Sequence, residues 1–331
     1  MVKEIGVAYY GVLIPQRARE DFRTIRKLGC NSVLLAISEF DAWFWYKNVI
    51  KLIHDAKEIG LRVYLDLWGW GKVFGGEPPS IFLQNFSNFR QISSKNRKLP
   101  IACFNTVTFR NYILGYVKKL SKETEVDYIF LDEPHYAVNP LVKRGEWTCL
   151  CETCRNLFRK EYGLEMPIKM DDKVMSFRQR KIVEFISDIS KIVKNFNKDV
   201  CVCLLPQFSL QIGILDWEQI ASIEQVDMIS TDPYWISFKR NIKWFEKIMD
   251  HLIYLSKKFN KKTQIWFQAF RVPAGREKEI LDGVRLANNR GIDSIFVWPY
   301  NAGKGSILAS ERPIMLWKMV GELFKEIQKT S

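Results

Sequence analysis

Short β-branched and aromatic runs alternate along the chain with longer stretches in which apolar residues recur every three or four positions. That alternation predicts βα units around a parallel sheet. Eight strands are expected, at 5–11, 32–38, 62–68, 127–132, 200–206, 227–232, 263–269 and 294–299. A helical pattern follows each, at 17–28, 43–59, 108–122, 174–195, 217–223, 241–259, 276–289 and 313–328. Eight such units predict an α/β fold of the (β/α)8 TIM-barrel type. Two connections are longer than a barrel needs, 69–107 after the third strand and 135–173 after the fourth. Both follow strand C-termini, the face on which barrel enzymes carry their chemistry. No internal repeat or break in composition divides the chain, so residues 1–331 are expected to form one barrel domain with a cysteine-rich insertion at about 137–173.

The 331 residues are 47% hydrophobic and 26% charged, which excludes a disordered or collagen-like chain. No apolar run reaches eighteen residues, and Met1-Val2-Lys3-Glu4-Ile5 leads at once into a strand pattern. A soluble, cytoplasmic protein with no membrane partner is expected. The net charge of +13, from 50 Lys and Arg against 37 Asp and Glu, raises nucleic-acid binding as a reading. The bases are mostly mixed with acids on helical stretches such as 17–27 and 155–161, which favours a solvated barrel exterior.

Candidate chemistry gathers at the predicted strand ends. The fourth strand stops at Asp132-Glu133-Pro134-His135-Tyr136, and the sixth at Asp232-Pro233-Tyr234-Trp235. Proline ends each ladder and leaves the acids at the rim. Two carboxylates facing each other across a barrel mouth suit glycosidic bond cleavage, in which one protonates the leaving oxygen and the other attacks carbon or activates water. Glu39, Asp66 and Glu77 lie at similar levels and are candidates to hold sugar hydroxyls, while Asp41 is read as a helix cap. His135 is a candidate to bind substrate or tune a carboxyl group. Trp68, Trp70, Tyr136, Tyr234, Trp235, Trp298 and Tyr300 are candidates for a stacking wall.

Of the seven cysteines, Cys30, Cys201 and Cys203 read as small core hydrophobes. Cys149, Cys151 and Cys154 form a Cys-x-Cys-x₂-Cys run in one long connection, and Cys103 lies in the other. Together they could supply a closed tetrahedral four-thiolate site, which points to structural zinc.

At these residues the sequence resembles the glycoside hydrolase family 42 β-galactosidases, retaining enzymes on a (β/α)8 barrel. The resemblance rests on the cysteine run with Cys103 and on Phe158-Arg159-Lys160-Glu161-Tyr162-Gly163, and extends over about residues 1–325. It implies Glu133 as general acid/base, with Asp132 where the family usually has asparagine. It also implies a nucleophilic glutamate at the end of the seventh strand, where this chain has Gln268. A carboxamide cannot be that nucleophile, so Gln268 is read as a sugar-hydroxyl partner.

The leading expectation is therefore a glycoside hydrolase acting on a glycan or glycoside. Glu133 is acid/base and Asp232 the second carboxylate, with Asp132 as nucleophile and Asp232 as acid the variant. The alternatives are an inactive carbohydrate-binding barrel and a nucleic-acid binder. Sugar, linkage, stereochemistry and oligomeric state stay open.

Overall fold

The computed structural model describes residues 2–207 and 209–330. In chain order the first half holds β1 (Glu4–Tyr9), α1 (Pro15–Lys27), β2 (Ser32–Ile37), α2 (Glu39–Phe44), α3 (Tyr46–Glu58), β3 (Arg62–Leu67), α4 (Ile81–Asn85), β4 (Arg90–Ile92), β5 (Lys98–Ala102), α5 (Val107–Glu123), β6 (Tyr128–Leu131) and α6 (Glu152–Tyr162). The second half holds α7 (Asp172–Lys194), β7 (Asp199–Leu204), α8 (Glu218–Ala221), β8 (Met228–Thr231), α9 (Ile242–Phe259), β9 (Lys262–Gln268), α10 (Glu277–Asn289), β10 (Ser294–Trp298) and α11 (Pro313–Thr330). Eight parallel strands close into a barrel, β1-β2-β3-β6-β7-β8-β9-β10, with β10 pairing back onto β1. This is a (β/α)8 barrel. Among the described residues, no helix is long and apolar enough to cross a membrane.

Strand parity sorts the core into two layers. On β2, Leu34 and Ala36 face the lumen with Tyr64, Tyr128, Phe130, Trp266 and Phe296, whereas Val33, Leu35 and Ile37 pack in the layer under the helices. Burial on both faces explains why the strands read as continuous apolar runs. Cys201 and Cys203 both belong to the lumen, sharing a face as their two-residue spacing requires, and Cys30 is buried in the outer layer.

At the foot of the barrel one device recurs four times. Asn31, Asp127, Asp227 and Asp293 each precede every second barrel strand and accept the backbone N–H of the strand before. The donors are Ile5 (2.8 Å), Val63 (2.8 Å), Val200 (2.8 Å) and Thr263 (3.0 Å). Each bond satisfies an N–H that the ladder leaves open at a strand start.

Between strand and helix the structure differs from expectation in two places. The helical pattern at 43–59 is two helices, because Ser38 and Asp41 form a reciprocal capping box that starts α2 at Glu39. Asp41 is thus in a cap, though of an earlier helix than its sequence suggests. The connection after β3 contains α4 and the β4–β5 hairpin, and the one after β6 contains α6. α4 and the hairpin are too short to show as periodicity, whereas α6 covers the helical stretch read at 155–161.

Candidate active site

Three barrel strands bring acids to one rim. Asp66 is the penultimate residue of β3, Asp132 and Glu133 follow β6, and Asp232 follows β8. Together with Glu77 from the loop after β3, they line a cavity of about 310 Å³. Trp68, Trp266, Trp298, Tyr234 and Phe270 supply its aromatic wall, and Phe130 and Cys203 line it as well. Tyr10 stacks on Trp298 at 5.1 Å and packs on Trp68 at 5.1 Å, fixing the rim rings from outside.

The backbone around the acids is tightly specified. Glu133 has φ of 42°, a left-handed conformation that costs a residue with a side chain about 1–2 kcal/mol. Its N–H is held by Cys203 O at 3.0 Å, and Gly75 N–H donates to Asp132 O at 2.9 Å. A Cβ at Gly75 would lie 2.4 Å from Asp132 Oδ2 and 3.1 Å from Glu133 Oε2, so only glycine permits this approach.

The electrostatics follow from crowding acids in a low-dielectric cleft. Burial, then the charges of Asp132, Glu133 and Glu77, hold the Asp66 carboxyl well above the usual range. Burial, then Glu133 and Glu77, raise Asp132. Burial pushes Glu133 up to about 6, against the opposing influence of the neighbouring Asp232 carboxyl. Burial and the neighbouring Glu133 and Asp132 raise Asp232 well above the usual range. Asp66 is 1% exposed and neither of its oxygens finds a protein hydrogen-bond partner; Asp232 Oδ1 likewise has none.

Of the sequence-predicted site residues, Asp66, Trp68, Glu77, Asp132, Glu133, Asp232, Tyr234 and Trp298 line the cavity. Glu39, Trp70, His135, Tyr136, Trp235, Gln268 and Tyr300 do not line it. The buried Glu39 carboxylate accepts from Gly71 N (2.6 Å), Ser80 Oγ (2.7 Å), Phe82 N (2.6 Å) and Tyr112 OH (3.2 Å), so it ties down a loop. Trp70 is buried and donates to Ile37 O at 2.7 Å. Tyr136 packs under the Arg178 guanidinium, 4.3 Å from its ring, and Trp235 packs on Phe245 at 5.0 Å. Both ends of the Gln268 amide are used, Oε1 by Ser237 N–H (3.0 Å) and Nε2 by Phe270 O (2.7 Å). Tyr300 OH donates to Asp21 at 2.8 Å, and His135 Nδ1 faces Glu133 O. Burial lowers the His135 pKa.

Sequence reasoning missed Trp266, Phe130 and Cys203 as cavity residues. Parity held the signal for the first, since Trp266 lies two residues before Gln268 on the same face of β9.

The Sγ atoms of Cys103, Cys149, Cys151 and Cys154 all lie within 4.8 Å of one another, with Cys103–Cys154 and Cys103–Cys151 at 3.5 Å. Asn105 Nδ2 donates to Cys154 Sγ at 3.2 Å, and Cys151 N–H to Cys149 Sγ at 3.4 Å. Four thiolates around zinc at about 2.3 Å stand about 3.8 Å apart, so the set fits a structural zinc ion. It is the one such metal-sized group among the described residues.

Solved structures similar to this chain are also barrels. An endo-β-1,4-mannanase from Thermotoga petrophila aligns with a TM-score of 0.67 at 14% identity, covering 100% of this chain and 78% of that one. The endo-1,4-β-mannanase from Rhizomucor miehei gives 0.66 at 13%, covering 99% and 95%. A GH5_18 protein from Bifidobacterium longum, in complex with Manβ1-4GlcNAc, gives 0.61 at 13%, covering 98% and 78%. At such identities the likeness shows the barrel fold alone. No protein-family model matches the sequence, and no curated protein matches it.

Proposed function

We propose that the protein is a glycoside hydrolase whose working pair is Glu133 and Asp232. The observation that carries this reading is the gathering of Glu133 and Asp232, from the ends of two different barrel strands, in one aromatic-walled cavity at the strand C-termini. One shared proton leaves one carboxyl as acid and its partner as base or nucleophile, the division of labour that glycosidic cleavage needs. Burial and crowding raise both carboxyls, Glu133 to about 6 and Asp232 well above the usual range, so the pair keeps a proton and either member can serve as the acid. Support for a sugar substrate comes from the tryptophan wall and from the solved barrels of similar fold, which include mannanases and a protein with bound Manβ1-4GlcNAc. The four cysteines are proposed to hold structural zinc, a closed site that pins Cys103 behind β5 to the start of α6.

The test is hydrolysis of a broad panel of α- and β-linked aryl glycosides and oligosaccharides by wild type, Glu133→Gln, Asp232→Asn and Asp132→Asn. Loss of about 10²–10⁴-fold in the Glu133 and Asp232 variants, with unchanged unfolding temperature, is expected. Full loss in Asp132→Asn with Glu133→Gln still active would move the nucleophile to Asp132. Glycan binding with no turnover of any substrate would replace the enzyme by a binding barrel, a reading favoured by the absence of an acid at the Gln268 position.

A further inference from the structure

Bond cleavage at the barrel mouth needs two carboxyls, yet five line the cavity: Asp66, Glu77, Asp132, Glu133 and Asp232. None of the described lining residues is a lysine, arginine or histidine. The ammonium of nearby Lys72 is turned onto the backbone carbonyls of Gly76 and Pro78 (3.3 Å to the latter), and His135 faces Glu133 O. Neither lines the cavity. Taking the glycosidase reading's placement of the sugar at this mouth as its basis, we infer that the sugar bound there carries a free ammonium group: the substrate class is a glycoside of an amino sugar.

Three observations converge on a cationic ligand. Asp66 is 1% exposed with both oxygens unpartnered, and Asp232 Oδ1 is equally alone, so two acids aimed into the cavity have nothing in the protein to answer them. An unanswered buried carboxyl is costly, and an entering cation turns the repulsion among five acids into attraction. A sugar acid would add to that repulsion, and a neutral or N-acetylated sugar would leave it in place. Next, the acids do not form a metal-sized set: among the described residues only the four cysteines come close enough together to hold an ion. The carboxyls line a cavity of about 310 Å³, room for an organic cation with a ring attached. Finally, Trp68, Trp266 and Trp298 line the same space, and indole faces attract both the apolar face of a sugar and an ammonium.

The experiment is calorimetry on the intact chain at pH 7 and low salt, in two buffers of different ionisation enthalpy. The probes are glucosamine oligosaccharides, their N-acetylated counterparts, oligogalacturonides, calcium ion and spermidine. Binding of the glucosamine oligomers at least about tenfold tighter than the N-acetylated ones, with proton release to buffer, is the expected result. Asp66→Asn and Glu77→Gln should each shrink that preference. The first removes a carboxyl that supports no hydrogen bond and the second changes a side chain that is itself exposed, so neither threatens the fold. Equal or tighter binding of the N-acetylated or acidic oligomers overturns the inference. So does spermidine or calcium binding as tightly as the amino sugar. Turnover is measured separately. An amine preference without hydrolysis would sink the enzyme reading alone, and hydrolysis of neutral glycosides without an amine preference would sink the amino-sugar inference alone.

Discussion

Asp66 and Glu133 show how single residues tie the cavity's chemistry to its stability. Both carboxyls sit above their ordinary values in the folded protein, chiefly through burial. An acid whose pKa rises on folding favours the folded state at low pH, and that contribution is lost as pH rises through the folded value. For Glu133 the loss runs from the ordinary range near 4.5 through about 6, and for Asp66 it continues above. Asp66→Asn should therefore stabilise the protein at pH 8, with the gain fading toward pH 4. Thermal melts across that range check it; a constant difference at all pH values would refute it. Activity has the complementary dependence. The rate should rise as Glu133 ionises around pH 6 and fall at higher pH as Asp232 gives up its proton, a bell measurable as kcat/KM.

Residues of the rim were legible where local chemistry fixed them. Asp132, Glu133 and Asp232 stand before prolines that stop their strands, so their level in the barrel follows from the sequence. Glu39 was not legible, because its partners Gly71, Ser80, Phe82 and Tyr112 are distant along the chain. Trp70, Tyr136 and Trp235 have the right position but turn under loops rather than into the mouth, which no spacing rule records.

Among the elements, the turn at Gly75-Gly76 and the cysteine tie carry most of the consequence. Gly75→Ala would push a methyl into Asp132 and Glu133, and Gly76 would meet Trp68 Cδ1. Gly75→Ala should lower kcat/KM by about 10²-fold, since displacement of about an ångström is enough to spoil reacting geometry. The unfolding temperature should move little, because the turn lies at the rim. The tie joins the hairpin, by way of Cys103, to α6. Zinc removal by a chelator should expose both segments to protease while the barrel keeps its circular dichroism, and Cys154→Ser should mimic this. Metal analysis of freshly reduced protein with no stoichiometric zinc would dismiss the site. The cysteine run announced this tie in the sequence, and α6 showed there as the helical stretch at 155–161; α4 and the hairpin gave no periodic signal because they are short and are held by Glu39 and the tie.

For the whole molecule, the alternation of strand and helix patterns was sufficient to define the barrel, since eight buried parallel strands have few other ways to close. The foot was not legible, although its residues are plain in retrospect. Asp227→Ala removes the acceptor of Val200 N–H and the partner of Lys194, and should cost about 1–3 kcal/mol while leaving kcat unchanged. A loss of activity without loss of stability would contradict that separation. The four-fold bond at the foot acts like the staves of a cask hooped at one end. Strand register is pinned far from the carboxyls, so the rim is released from holding the shape. Its loops can be exchanged, lengthened or rewritten for another sugar while the vessel beneath them stays closed.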